Sequence, residues 1–422
     1  MNPVYIVAFC VLSVLYAWTL YTMPILAVGV RYLRRSNQKK SEASTLHAEK
    51  LPTVSIIVPV KDEEKVIGRL LKAFLNVDYP PEKMEIIIVE DGSTDKTAEI
   101  CEKYVGQYPG QIRLIRQSMS NGKPSALNYA LKHVRGEVVA IFDADNIPES
   151  NVLLKAAKYF EDPTTAAVQG RPYFINADEN MLTKFVSYEE AVRYETYLRG
   201  KDVLNLFVPF TGSCYFVRRN LLNKVGGWDG KSLSEDLELS AKLVEAGYKI
   251  RYASDVRSWQ ENPVNLSQLF RQRTRWFRGS MEVAIKYGRL ARKLNKRCID
   301  AEITLIGPYT FIPCLIGYLI TVYTLLSQVQ PNAVSTIMAQ FASGFTVLLL
   351  SIAGIALIYV TKPRKISNVL WLPFIYAYWI IQNFVALYAL IQIVLRRPKR
   401  WVKTKKTGTT TNHEIKMSEL HV

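Results

Sequence analysis

Hydrophobic positions follow two regimes along the 422 residues of this chain. Towards the ends they run almost unbroken: residues 1–30, 303–361 and 366–395 contain no Asp, Glu, Lys or Arg. Crossing a bilayer takes only about 20 apolar residues, so the second stretch is long enough for two spans. The first lacks the basic n-region and small-residue cleavage site of a secretory leader and is expected to be a retained anchor over residues 1–33. Between them, from Leu51 to Asp300, short apolar blocks alternate with stretches of helical period. TVSIIVPV (53–60) precedes a helical pattern from Glu64 to Leu75, and EIIIVED (85–91) precedes one from Thr94. IRLI (112–115) precedes Lys123–Val134, and EVVAIFDAD (137–145) precedes a helix from Glu149. Near-continuous Ile/Val strands alternating with helices predict an α/β domain whose mostly parallel sheet is covered on both faces. Ligands of such sheets bind beyond the carboxyl ends of the strands, which is where Glu90-Asp91 and Asp143-Ala144-Asp145 fall.

The formal charge of +17 raises the question of nucleic acid. Many of the basic residues instead flank the apolar stretches: Arg31 to Lys40, Lys362 to Lys365 and Arg396 to Lys406. Juxtamembrane Lys and Arg mark cytoplasmic flanks and attract anionic lipid. The expectation is therefore an integral protein of the cell membrane with a cytoplasmic catalytic domain, in contact with membrane lipids and not nucleic acid. The parts would be an anchor (1–33), a polar linker (34–50), a soluble domain (51–300), a transmembrane region (301–396) and a basic tail (397–422). The five cysteines are scattered without CxxC spacing and read as reduced packing residues.

Four segments carry candidate chemistry. Asp143 and Asp145 leave a strand at a turn supplied by Asn146 and Pro148, and two hard oxygen ligands there suit Mg²⁺ or Mn²⁺. In VEDGSTD, Ser93, Thr94 and Asp95 are explained by a turn and a helix cap, with Thr94 or Asp95 as N-cap, whereas Glu90 and Asp91 have no structural task apparent in sequence. Ser234-Glu235-Asp236 opens a helix, where acidic residues favour the dipole; a general base is the other reading. The histidines (His47, His133, His413, His421) fall outside every motif, so a base would be a carboxylate. Leu266–Tyr287 reads as a helix or helix pair carrying QRTRW, with guanidinium groups that can hold a diphosphate and an indole that can stack on a sugar. A basic amphipathic helix on the membrane is the alternative.

Taken together and in order, VEDGSTD, DADN, FTGS (210–213), SED and QRTRW between membrane segments resemble glycosyltransferase family 2, in particular its processive cellulose, chitin and hyaluronan synthases. The resemblance covers roughly residues 51–290. It implies a GT-A-like nucleotide-sugar-binding fold and inverting transfer from a nucleotide-sugar, a UDP-sugar by preference, to a growing polysaccharide. A single transfer to a membrane lipid or polyprenyl phosphate is the alternative acceptor. It also implies roles: Asp91, Lys123, Asp143 and Gln272 on the donor, Asp145 on the metal, and Asp236 as base. Arg275 would hold the leaving diphosphate, and Gly212, Ser213 and Trp276 the acceptor. Ser234 replaces the family's usual Thr, and Glu90 its usual second Asp. Trp401, Thr404 and Lys406 loosely resemble the gating segment of cellulose synthases, which requires a tail on the cytoplasmic side. Residues 366–395 have basic residues at both ends, so either the tail is external or this stretch is re-entrant or bent; the cytoplasmic tail is favoured. A transporter or scaffold with a degenerate domain is the reading from another class. The sugar is not legible in sequence.

Overall fold

A computed structural model of the chain describes residues 3–36, 50–117, 120–327, 333–361, 365–399, 403–404 and 406–408. Eight strands form one sheet: β1 (Val54–Val60), β2 (Met84–Glu90), β3 (Ile112–Arg116), β4 (Val138–Ile141), β5 (Ile147–Pro148), β6 (Thr165–Phe174), β7 (Tyr215–Arg218) and β8 (Lys249–Gln260). Their order is β3-β2-β1-β4-β7-β6-β8-β5. The first four are parallel neighbours, and β7 enters antiparallel between β4 and β6. Helices α2 (Ile67–Leu75), α3 (Thr97–Gln107), α4 (Lys123–Leu131) and α5 (Val152–Tyr159) follow β1, β2, β3 and β5. Successive strand residues serve opposite layers: Ile57, Ile87, Val139 and Ile141 point to one core, and Ile56, Ile86, Val138 and Ala140 to the other. Both sheet faces are therefore covered, which is why the strands read as continuous apolar runs.

Two local expectations change. β4 stops at Ile141, so the DAD segment lies in the turn beyond it, closed by Asn146 N–H donating to Asp143 O at 3.0 Å. α3 begins at Thr97, not at the Thr94/Asp95 cap: Asp95 accepts from the Thr97 N–H at 2.9 Å, while Thr94 N–H is taken by Asp62 at 2.7 Å.

The chain continues through α6 (Met181–Val192), a π-helical turn (Arg193–Leu198), α7 (Arg199–Val203), α8 (Arg219–Lys224), α9 (Glu235–Glu245), α10 (Leu266–Tyr287) and α11 (Lys296–Ile306). The membrane region is α1 (Pro3–Ser36), α12 (Phe311–Leu326), α13 (Ala333–Val360) and α14 (Leu372–Val394). Among the described residues, four helical stretches are long and apolar enough to cross a membrane. α1 lies against the π-helical turn and α7, and a Cβ on Gly200 would fall 2.1 Å from Ile25 O, so only glycine permits that approach. α14 begins and ends against the soluble domain. At its start Trp371 packs on Phe185 (5.4 Å) and Tyr188 (5.8 Å) of α6; at its end Gln392 accepts from Arg278 of α10 at 3.3 Å. Beyond α14 the described part of the tail reaches the cavity of the soluble domain, where Thr404 and Lys406 line its wall. Trp401 lies outside the described residues.

A buried ion pair ties α1 and α11 to the domain. Lys201, fully buried, donates to Asp300 Oδ2 (2.7 Å), Thr304 Oγ1 (2.7 Å) and Tyr21 Oη of α1 (3.0 Å). Removing one partner of such a pair strands a buried charge. Lys201→Met is expected to destabilise the protein by about 3–5 kcal/mol in thermal unfolding in detergent, and the double variant Lys201→Met/Asp300→Leu to recover only part of that loss, because Phe207 N–H and Tyr21 Oη also donate to Asp300.

Candidate active site

One cavity of about 2,020 Å³ extends from the carboxyl ends of β1, β2 and β4 to the membrane helices. Asp91, Lys123, Asp143, Asp145, Gly212, Asp236, Gln272, Arg275, Trp276, Thr404 and Lys406 all line it. Ser213 does not; it stands behind the wall, its Oγ accepting from Asp143 N–H at 2.9 Å.

At the end of β2, Asp91 is 4 % exposed and accepts from Ser120 Oγ (3.0 Å) and from the N–H groups of Asn121 (3.2 Å) and Gly122 (3.1 Å). Glu90 accepts from Ser93 N–H and closes the turn. Both acids thus have the structural task that sequence alone did not reveal, and Asp91 still faces the cavity.

The centre is built around Lys123, at the start of α4. Its ammonium lies 2.7 Å from Asp143 Oδ1 and 3.3 Å from Glu235 Oε1, and donates to Gly212 O at 2.7 Å. Burial alone would lower its pKa; Asp143 and Glu235 outweigh that and hold it above the ordinary lysine value. Gly212 has φ +93°, a conformation that favours glycine, and this turn aims its carbonyl at Lys123. The FTGS loop is held from beneath by Gln169, a buried residue that sequence reasoning passed over. Its side chain accepts from Thr211 N–H (2.9 Å) and donates to Ser213 O (3.1 Å) and Gly170 O (2.9 Å).

Glu235 and Asp236 open α9 after Ser234. Glu235, which sequence explains only as an acidic residue at the helix start, is buried on Lys123. Asp236 is pushed up to about 7 by burial and the neighbouring Glu235, against the pull of Lys123. Asp143 is likewise raised by burial and by Asp145, despite Lys123.

α10 is a single helix, and its period sorts the QRTRW side chains. Gln272, Arg275 and Trp276, at i, i+3 and i+4, face the cavity. Arg275 bonds Leu233 O at 3.5 Å; burial lowers its pKa, partly offset by Glu235, Asp236 and Asp143. Arg273 lines the cavity as well, but its guanidinium is taken up by Glu190 (3.1 Å) and Glu189 (3.2 Å) and lies 4.4 Å from the Trp276 ring centre. It positions the indole. Arg278 donates to Gln392, Pro398 O and Arg397 O, tying down the end of α14.

Asp145 is 3 % exposed and accepts from Glu261 N–H at 3.1 Å. Its carboxylate already holds a cation, the Lys406 ammonium at 2.6 Å. Burial raises its pKa, and Lys406 and the Glu261 N–H more than reverse that. The oxygen chemistry suits a hard divalent ion. Among the described residues no three His, Cys, Asp or Glu side chains form a ready-made metal cage, so a bound ion would complete its shell from water and diphosphate. Gln272 Nε2 reaches Thr404 Oγ1 at 3.4 Å, bringing the expected gating segment onto the expected donor wall.

An α/β domain with acidic groups and an arginine at its strand ends, opening into a membrane region, has the architecture of GT-A glycosyltransferases. The profile described as "Glycosyltransferase like family 2" matches residues 52–279. The chain belongs to this glycosyltransferase family. It is 33 % identical over 302 residues to the probable glycosyltransferase YdaM of Bacillus subtilis, covering 69 % of this chain and 70 % of that protein. It is 33 % identical over 270 residues to the beta-monoglucosyldiacylglycerol synthase of a Nostoc species, covering 63 % of this chain and 56 % of that protein. Identity to the poly-beta-1,6-N-acetyl-D-glucosamine synthase of Staphylococcus epidermidis is 25 % over 368 residues, covering 85 % and 86 %. The fold resembles that of the mannosyltransferase PcManGT from Pyrobaculum calidifontis, solved with GDP-Man and Mn²⁺: TM-score 0.60, 21 % identity, 92 % of this chain and 100 % of that one.

Replacing Gln169 by Leu would leave Thr211 N–H and Ser213 O without their partner. A loss of about 1–3 kcal/mol per stranded group should appear as a lowered Tm. A fall in turnover should accompany it, because the loop carries the Lys123 acceptor at Gly212.

Proposed function

We propose that the protein transfers one hexose, with inversion, from a nucleoside diphosphate sugar, a UDP-sugar by preference, to a lipid acceptor held in the membrane. The observation that carries this reading is the unbroken cavity joining Asp143, Asp236 and Arg275 to α1, α12, α13 and α14. On this reading Asp91 contacts the nucleoside, and Lys123, Asp143 and Gln272 bind the rest of the donor. Trp276 and Gly212 receive the acceptor, with Ser213 supporting the loop from behind. Asp236 removes the proton from the acceptor oxygen as that oxygen attacks the anomeric carbon; the bond to the diphosphate breaks on the opposite face, and Arg275 balances the charge that leaves. Mg²⁺ or Mn²⁺ would be held through Asp145 and would supply further charge neutralisation on the diphosphate. The domain would face the cytoplasm.

The acceptor class is argued from the cavity lining. Ala8, Val11, Leu12 and Leu15 of α1 and Ala342, Val347 and Leu350 of α13 present hydrocarbon to it. A sugar chain passing such walls would give up hydrogen bonds to water without replacement. An acyl or prenyl chain loses nothing. Polysaccharide growth is the second reading, favoured by the α14 wall, where Tyr376, Trp379, Gln382 and Asn383 offer stacking and hydrogen-bonding groups.

Asp236→Asn should lower turnover by about 10²–10⁴-fold while donor binding, followed by calorimetry, is retained; unchanged turnover would remove Asp236 as the base. Because the ionised form is the active one and its pKa is about 7, kcat/KM should rise with pH through 7 and level off above it. In the presence of dioleoylglycerol or a polyprenyl phosphate, mass spectrometry should find a lipid bearing one sugar, whereas a ladder of sugar polymers would favour the second reading.

A further inference from the structure

We propose that Lys406 and a divalent cation are alternative occupants of one cation site at Asp145, so that the tail supplies a counter-ion which must withdraw before metal enters. The inference rests on the assignment of metal to Asp145 and concerns what competes for it.

The contact is specific. Lys406 Nζ lies 2.6 Å from Asp145 Oδ2 and also donates to Glu261 O at 3.1 Å; its side chain is 16 % exposed and that of Asp145 4 %. Such a charge-assisted bond in a nearly dry site is strong. The segment carrying it is pinned on both sides. Lys403 pairs with Glu63 at 2.9 Å, beyond the end of β1, and Thr407 N–H donates to Glu261 Oε2 at 3.0 Å. Glu261 in turn pairs with Arg69 at 3.3 Å, and its own N–H binds Asp145. Lys403, Thr404 and residues 406–408 therefore lie across the mouth of the metal site as a strap.

Exclusion follows from charge. A divalent ion on Asp145 would sit within a few ångströms of an ammonium bonded to the same carboxylate, in a place where water screens poorly. Other basic groups of this wall are not in that position. Arg69 donates to the backbone oxygen of Asp145 at 2.8 Å, and Lys123 is held by Asp143, Glu235 and Gly212. Lys406 is attached through the tail alone, so it can leave without disturbing the sheet.

A competitor inside the protein weakens apparent affinity by the fraction of molecules in which the site is free. If the strap is closed nine-tenths of the time, removing the Lys406 charge tightens metal binding about tenfold. The test is Mn²⁺ titration of the full chain in detergent, followed by electron paramagnetic resonance, without donor. Lys406→Gln is expected to bind Mn²⁺ roughly tenfold more tightly than the unaltered protein. Lys403→Gln, which frees one side of the strap but leaves the ammonium, should shift affinity the same way by less. Lys399→Gln removes an equal charge from the cavity wall, where Lys399 pairs with Glu282 at 2.8 Å, and should change affinity little. Unchanged or weaker binding in Lys406→Gln, or equal tightening in Lys399→Gln, overturns the competition. Asp145→Asn should abolish binding in every background; Mn²⁺ retained there would instead overturn the metal assignment on which the proposal rests.

Discussion

The catalytic wall depends on one buried ammonium. Lys123 joins segments distant in sequence: Asp143 beyond β4, Glu235 at the start of α9 and the carbonyl of Gly212 between them. Without it, the negative charges of Asp143 and Glu235, both held on the one ammonium, would lose their common counter-ion. The same cation separates the roles of the acids. Asp143 and Glu235 bond to it directly, whereas Asp236 feels it only at a distance and is left with a raised pKa, which is what the proposed role of base near neutrality would need.

How much of this was legible in sequence follows from which contacts are local. The β-then-α units were, because burial on both sheet faces imposes a continuous apolar pattern that no other element in this region shares. The end of β4 was not: Asp143 turns away to Lys123 and Ser213, partners supplied from 20 residues before it and 70 after. Likewise the start of α3 moved because Asp62, on another loop, takes the N–H of Thr94. Gln169 escaped notice for the same reason, and Glu235 reads in sequence only as an acidic residue at a helix start. Gln169 belongs to no spacing that announces chemistry, and both residues acquire their tasks only when β6, the FTGS loop and α9 are brought together.

QRTRW teaches a different lesson. Three kinds of side chain at consecutive positions cannot all face one site on a helix, and the 3.6-residue period separates them without further information. Gln272, Arg275 and Trp276 go to the cavity. Arg273 goes to Glu189 and Glu190, where a buried cation is neutralised and the indole of Trp276 gains a flat support. What the period could not foretell is Arg278, whose partners lie after the last membrane helix.

That last contact links the two ends of the cavity. α14 contributes Tyr376, Trp379, Gln382 and Asn383 to the membrane-side wall, and its C-terminal continuation reaches Gln272, Glu261 and Asp145 on the donor side. Arg278 holds the chain at Pro398, and the six residues from there to Thr404 span at most about 20 Å even when extended. A tail anchored so close stays near the cavity, and it continues from the helix that forms part of the membrane-side wall. One helix thus touches the soluble domain through Trp371 and again through Gln392, and the described part of the chain beyond it lies over the site.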